Sequence, residues 1–401
     1  MKNGWQTNQL REVCSFLSRG ISPIYVEDGG ICVLNQKCIR EHRVSYEPSR
    51  RHNARSKKVG NDRLVQAGDV LVNSTGTGTL GRVAQLRGDP PEPTTVDSHV
   101  TIVRSKPGKF CPDFFGYMLV AIEDAIKEAG EGCGGQTELA RSVLAEKFSV
   151  QYPESIPEQQ RIVSILDEAF GGLATAKANA EKNLQNARAL FESHLQSVFT
   201  QRGKEWVEKR LAEISREFGR GKSKYRPRNE PCLYNGPYPF IQTGDISNAD
   251  HWLTNYTQTY SELGLAQSRL WPRGTICIAI VGATVGETAI LDFEACFPDS
   301  VIGIVVNDQS ADSEYVEFLL QSFKALLKEK GKGTARDNIN LGTFENQKFP
   351  FPTLKRQKEI VGTLNSLREE TQRLAILYER KLAALEALKK SMLHRAFNGE
   401  L

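Results

Sequence analysis

The sequence predicts an α+β chain in which two strand-rich domains alternate with two long helices. Three observations carry that prediction. From Ile156 to Gly203 the apolar residues Ile162, Leu166, Ala169, Leu173, Ala176, Ala180, Leu184, Ala187, Phe191 and Val198 recur at spacings of three and four, the stripe of a long helix. Shifted by 198 positions without a gap, Gln159, Ile162, Val163, Leu166, Leu184, Leu195 and Phe199 meet identical residues at Gln357, Ile360, Val361, Leu364, Leu382, Leu393 and Phe397. Finally, Trp5, Leu10, Glu12, Arg19, Gly20 and Ser22 recur 201 positions later as Trp206, Leu211, Glu213, Arg220, Gly221 and Ser223. A self-similarity of that period marks a tandem repeat.

The first domain is expected over residues 1–153. Its short β-type runs, DVLVNST and HVTIVRS among them, are broken by Gly, Pro and Asn, and the helical segment DFFGYMLVAIEDAIKEAG follows. The first long helix is expected over 154–203, with Ser155 as cap and Pro157 in the first turn. Uninterrupted, it would be roughly 60 Å long at about 1.5 Å per residue. Gly171 and Gly172 lie inside it, each costing about 1 kcal/mol relative to Ala, so a kink, a break or a helix start only after them is expected. The second domain, 204–351, repeats the pattern with GTICIAIVG, SVIGIVV and the helical SEYVEFLLQSFKALLKEKG. Further matches place Gln36 with Gln242, Gly68 with Gly274 and Asp97 with Asp299. The second long helix closes the chain over 352–401. An apolar stripe of such length cannot bury itself, and each helix is the natural partner of the other through Ile162, Leu166, Leu184 and Leu195 on one and Ile360, Leu364, Leu382 and Leu393 on the other.

A chain of 401 residues suffices for two or three cores. No apolar run approaches the ~18 residues of a membrane span, and MKNGWQTNQL lacks a signal-peptide core, so no membrane role and a cytoplasmic location are expected. The eight cysteines show no C-x-x-C pair or His cluster, which argues for reduced thiols rather than zinc or disulfides. With a net charge of only +4, a nucleic-acid partner has to be argued from local clusters.

Signals for catalysis are weak. Gly76 to Gly81, GTGTLG, follows a strand, but a dinucleotide loop requires a helix to open at the third glycine, and RVAQLRGDPPEPTT has strand and turn character. Asp89-Pro90-Pro91-Glu92 lacks the aromatic of a D-P-P-aromatic methyltransferase motif, and Gly221-Lys222-Ser223 has Arg216 where a P-loop has glycine. Pro298-Asp299 has no Glu-x-Lys partner, and no nucleophile stands in a recognisable frame. No catalytic residue and no metal ligand is assigned.

The polar loops suit DNA. Arg50 to Lys58 carries five cations in nine residues, from which Arg50, Arg51, Asn53, Arg55 and Lys57 are candidates. The second half has a basic run around Tyr225, with Lys222, Lys224, Arg226 and Arg228. Cations neutralise phosphates, whereas Arg, Asn and Gln can read base edges bidentately. The small and amide side chains of GCGGQTELARS and GKGTARDNINLG add Gln136, Thr137 and Arg141, and Arg336, Asn338 and Asn340. The glycine-rich loops add Ser74, Thr77 and Thr79, and Thr284. A solvated flexible loop is the competing reading of each cluster.

The pattern as a whole resembles the specificity subunits of type I restriction–modification systems. The resemblance rests on the repeated openings Trp5…Leu10-Arg-Glu12-Val13…Arg19-Gly20 and Trp206…Leu211-Ala-Glu213-Ile214…Arg220-Gly221, on the domain ends TELARSVLAEKFSVQYPESIPEQQRIV and ARDNINLGTFENQKFPFPTLKRQKEIV, and on the C-terminal LHRAFNGEL. The glycine pair and TQRG in place of a first NGEL depart from it. It implies a pseudo-twofold molecule whose two domains are target recognition domains and whose helices pair as an antiparallel coiled coil. Each domain would bind half of an asymmetric bipartite site in double-stranded DNA, the helices setting the spacer. Two methyltransferase (M) subunits and restriction (R) subunits would dock on the chain. S-adenosylmethionine, ATP and magnesium would serve those partners, with no cofactor on this chain. Alternatives are a specificity subunit of another methylation-linked nuclease or a phage-exclusion system and, from other classes, a nucleotide-dependent enzyme or a structural coiled-coil adaptor.

Overall fold

The computed structural model describes residues 4–130, 138–203, 205–224, 227, 229–331 and 341–401. Two compact units divide the chain: Met1–Glu181 with Arg380–Leu401, and Lys182–Glu379. Each unit therefore takes one strand-rich fold together with part of both long helices.

In the first unit the central sheet runs Cys14–Arg19, Val100–Ser105, Val70–Asn73, Val83–Gln85, all antiparallel. The second unit repeats that order with Ser215–Arg220, Val301–Val306, Ile276–Ala279 and Thr288–Leu291, then adds Trp252–Leu253 in parallel at the edge. The continuous apolar runs seen in the sequence arise because both faces of each sheet are covered. Val70, Val72 and Val103 point into a core with Phe114, Met118 and Leu119, whereas Leu71, Ala84 and Ile102 point into another with Cys32, Leu34 and Val96. In the second unit Ile276, Ile278 and Ile304 face Tyr315, Phe318 and Leu319, and Cys277, Ala279 and Leu291 face Ile241, Trp271 and Phe297. A smaller four-stranded sheet joins each fold, ordered Thr94–Val96, Ile31–Leu34, Arg50–His52, Tyr25–Val26 in the first and Gln258–Tyr260, Tyr234–Phe240, Ala295–Cys296, Leu270–Trp271 in the second.

The repeated residues have repeated jobs. Glu12 accepts from the backbone N–H of Gln9 at 3.0 Å, and Glu213 from that of Arg210 at 3.2 Å. A Cβ on Gly20 would collide with the Val96 carbonyl, and one on Gly221 with the Phe297 carbonyl, so both sites require the bare backbone. Gln159 is fully buried; its oxygen accepts from Cys111 N at 2.8 Å and its Nε2 donates to the Pro153 carbonyl at 2.9 Å. Gln357 does the same with Asp312 N and the Pro352 carbonyl, both at 2.9 Å. These two amides bolt the start of each long helix to its own domain.

The first long helix runs unbroken over Ile156–Thr200 and the second over Leu354–Phe397. The expected break at Gly171 and Gly172 does not occur. Both glycines are exposed, with open space where a Cβ would stand, and a local cost of about 1 kcal/mol each does not overcome burial of the flanking stripe at Leu166 and Ala180. Gly171→Ala and Gly172→Ala are accordingly expected to stabilise the chain by up to about 1 kcal/mol each, read as a rise in urea midpoint.

Within each unit the helices pack antiparallel. In the first, Arg161 donates to the Leu401 carbonyl at 2.8 Å, while Lys177 pairs with Glu386 at 2.8 Å. In the second, Arg188 pairs with Glu379 at 2.8 Å, while Leu195 and Phe199 share a core with Ile360 and Leu364. These ion pairs are exposed and worth little. Burial carries the packing. Its apolar stripe is not reserved for helix pairing, however. Ile162, Leu166 and Leu393 lie in the core that also contains Phe114 and Met118, and Leu195, Ile360 and Leu364 in that of Tyr315 and Phe318. Toward the middle of the helices the side chains become smaller, with Ala180 and Ala187 buried and Leu184 and Leu382 half-buried.

Among the described residues no helix is long and apolar enough to cross a membrane. Every described cysteine is a free thiol.

Candidate nucleic-acid interface

The basic stretch of the first unit begins inside a strand. Arg50–His52 pairs with Tyr25–Val26, and the Arg50 guanidinium lies 3.4 Å from the centre of the Tyr25 ring, a cation–π stack at the surface. Arg51 is bound to Glu92 at 2.6 Å, which raises its pKa and compensates its charge. It is therefore a weaker phosphate ligand than the spacing suggests.

The loop beyond is held from below. His52 is fully buried; its Nδ1 accepts from Ile24 N at 2.9 Å, so its Nε2 carries the proton shared with the Lys57 carbonyl at 2.8 Å. Asn53 uses its side-chain oxygen to accept from Arg55 N and Ser56 N, making it a turn-former rather than a ready base contact. Arg55 and Lys57 project outward; Lys57 Nζ reaches the Ser22 carbonyl at 3.1 Å, and Arg55 has no ion-pair partner among the described residues.

Gly76–Gly81 connects two antiparallel strands, Val70–Asn73 and Val83–Gln85, and no helix opens after it. It is a hairpin loop, without the helix N-terminus that cradles a dinucleotide. Thr77 is exposed at its tip, while Thr79 turns its hydroxyl to the loop's own carbonyls. Ser74 is a correction. It is fully buried, 2.5 Å from the Thr101 hydroxyl, and cannot touch DNA. In the equivalent loop of the second unit Thr284 is half-buried and donates to the Val281 carbonyl at 3.2 Å. Arg141 is exposed at the first turn of the helix Arg141–Glu146.

Lys222 and Lys224 are both exposed, their backbone fixed by Lys222 N to the Phe297 carbonyl at 3.1 Å and Lys224 N to Gln267 at 2.5 Å. Gln136, Thr137, Tyr225, Arg226, Arg228, Arg336, Asn338 and Asn340 lie outside the described residues.

Beside Lys222 and Lys224 the second unit has a cleft of about 440 Å³, lined by Ser223, Asn229, Tyr234, Gln242, Gln258 and Ser300 with Phe240 and Pro298. Hydroxyls and amides dominate it, with aromatic rings behind. At the matching place in the first unit Gln36 donates to the carbonyl and hydroxyl of Thr75, both at 3.2 Å, and Thr75 meets His99 Nδ1 at 2.7 Å. The same frame thus carries different hydrogen-bonding groups in its two copies. Of these residues Gln36, Gln242 and Ser223 stood out in the sequence through the repeat. Gln258 and Ser300 come to the cleft by strand register and turn geometry, which no local motif announces.

The comparisons with known proteins agree with this layout. The family model described as type I restriction modification DNA specificity domain matches residues 2–183 and 203–379. A Methanocaldococcus jannaschii protein named as a type I restriction enzyme MjaX specificity subunit is 26% identical over 121 residues, which is 30% of this chain and only 28% of that relative's length. Among solved structures, a chain from work on complex assembly and conformational transition of the type I R-M system is similar over 100% of this chain and 99% of its own, with a TM-score of 0.82 at 17% identity. The HsdS subunit from Thermoanaerobacter tengcongensis is similar over 100% and 98%, with a TM-score of 0.62 at 18% identity. At such identities the structural likeness is one of fold.

Proposed function

We propose that this chain, which belongs to the type I restriction–modification DNA specificity family, is the subunit that reads an asymmetric, bipartite site in double-stranded DNA. The observation that carries the reading is the duplicated frame with unlike polar groups at matching places, Gln36 with Thr75 and His99 in one unit, Gln242 with Gln258 and Ser300 in the other. Two copies of one fold reading different bases give two different half-sites. The long helices, bolted to the domains by Gln159 and Gln357, would set the spacer, as dimer geometry sets half-site spacing elsewhere.

The chain supplies recognition and its partners supply chemistry. Two methyltransferase subunits with S-adenosylmethionine, and restriction subunits using ATP and magnesium, would dock on it. Mapping of methylated bases in DNA from cells carrying this chain and its methyltransferase tests the proposal. A split motif with two unlike halves supports it; a continuous or palindromic motif contradicts it.

The basic loop would hold the phosphate backbone. Replacing Arg50, Arg55 and Lys57 together with alanine is expected to weaken binding to all sequences alike. It should also flatten the plot of log K against log salt by about 0.9 for each phosphate no longer neutralised. Arg51→Ala should change that slope less, because Glu92 already compensates its charge. Salt titrations of the full chain on one duplex measure both.

A further inference from the structure

The cleft of the second unit holds two side-chain amides in direct contact, Gln242 Nε2 donating to Gln258 Oε1 at 2.8 Å. Gln242 is half-buried at the start of the short helix Thr243–Asn248, where its backbone N–H donates to Asp245 at 2.7 Å and fixes its origin. Gln258 is exposed at the start of the strand Gln258–Tyr260, opposite Phe240. Each primary amide has two N–H groups and two oxygen lone pairs. One bond between them uses one of each, and turning both amides over gives the same balance. The exposed Gln258 amide therefore keeps at least one N–H and one lone pair, and its bond to Gln242 restrains its orientation.

We infer that this pair reads an adenine in the half-site bound by the second unit, Gln258 touching the base edge and Gln242 positioning it. The inference rests on the chain being a DNA-specificity subunit. In the major groove adenine presents an acceptor, N7, next to a donor, the N6 amino group, which an oriented glutamine amide meets with two hydrogen bonds. Guanine presents two acceptors, N7 and O6, and would set a lone pair against the amide oxygen, leaving a desolvated acceptor unpaired. Cytosine offers a donor alone, and thymine an acceptor beside a methyl group. Among the described residues the first unit has no such pair at the matching place, and the Gln36 Nε2 is engaged by Thr75. This paired-amide reader is thus expected in one half-site only.

The test uses the full chain with its methyltransferase subunits, a pool of random-sequence duplex DNA, and sequencing of the bound fraction. The wild type is expected to enrich a split motif. Gln258→Met should lose discrimination at one A·T position in one half, by roughly ten- to a hundred-fold, with the other half unchanged. Gln258→Glu, an acceptor only, should move the preference at that position toward cytosine. Gln242→Met removes the support but leaves Gln258 free to reach the base, and should relax the same position by a smaller factor. Because Gln258 is exposed, its variants are expected to keep the wild-type melting temperature. A Gln258→Met motif identical to the wild type, or one relaxed at a G·C position, overturns the assignment while leaving the specificity reading intact. A wild type that enriches no motif overturns both.

Discussion

His251→Leu is expected to destabilise the second unit by about 3–5 kcal/mol, because it strands a buried carboxylate. His251 and Glu317 are both fully buried at their side chains and meet at 2.5 Å through Nδ1. Glu317 also accepts from Thr288 at 2.7 Å and Gln321 at 2.6 Å. Nε2 of the same imidazole faces Glu314 at 3.1 Å, and Glu314 in turn accepts from Asn365 of the second long helix at 2.7 Å. The ring itself stacks on Phe318 with centroids 4.4 Å apart. Removing the imidazole leaves two carboxylates without their cation, one of them with no access to water. A fall in melting temperature on the order of 10 °C is expected, together with loss of amide protection in the second unit and not in the first. Replacing both residues, His251→Leu with Glu317→Leu, should recover most of the loss, since no charge then remains buried.

The same network makes stability depend on pH with a definite sign. Burial alone would lower the His251 pKa, but the hydrogen bonds to Glu314 and Glu317 outweigh it and raise the value above the usual 6.5. Its contribution is complete below that pH and is lost as pH rises through the raised value. Glu314 is held below its usual 4.5, chiefly by its bond to His251, so its contribution is complete above 4.5 and is lost in acid. The wild-type unfolding midpoint should fall as pH rises through the raised His251 value, and His251→Leu should remove that fall.

The second large effect belongs to the repeated glutamines. Gln159→Leu and Gln357→Leu are each expected to destabilise their own unit by about 2–4 kcal/mol. Each leaves one part-buried backbone N–H and one buried carbonyl without this partner, at roughly 1–3 kcal/mol apiece. Hydrogen exchange reads the outcome by region. Gln159→Leu should deprotect the start of the first long helix, and Gln357→Leu that of the second. Equal loss in both units from either variant would show that the two anchors do not act locally.

These glutamines show where the sequence was legible. Period and repeat revealed both long helices, their partnership and the strand-rich folds, because a stripe of that length admits few other readings; the antiparallel sense came with the family resemblance. The repeat also pointed to Gln159, Gln357, Gly20 and Gly221, although not to what each residue touches. Local propensity misled at Gly171 and Gly172, where tertiary burial on the opposite face decides the backbone. Residue type misled at Ser74, a polar side chain satisfied inside the core by Thr101. Gln258 was invisible for the converse reason. Only the pairing of its strand with Tyr234–Phe240 brings it beside Gln242.

Independence of the two halves is the central claim, and a domain exchange tests it most directly. Residues 1–153 would be replaced by the recognition domain of a different specificity subunit, and the methylated motif mapped in cells with the matching methyltransferase. One half-site is expected to change while the other half-site and the spacer stay as they were. A motif changed in both halves, or in neither, would contradict that claim.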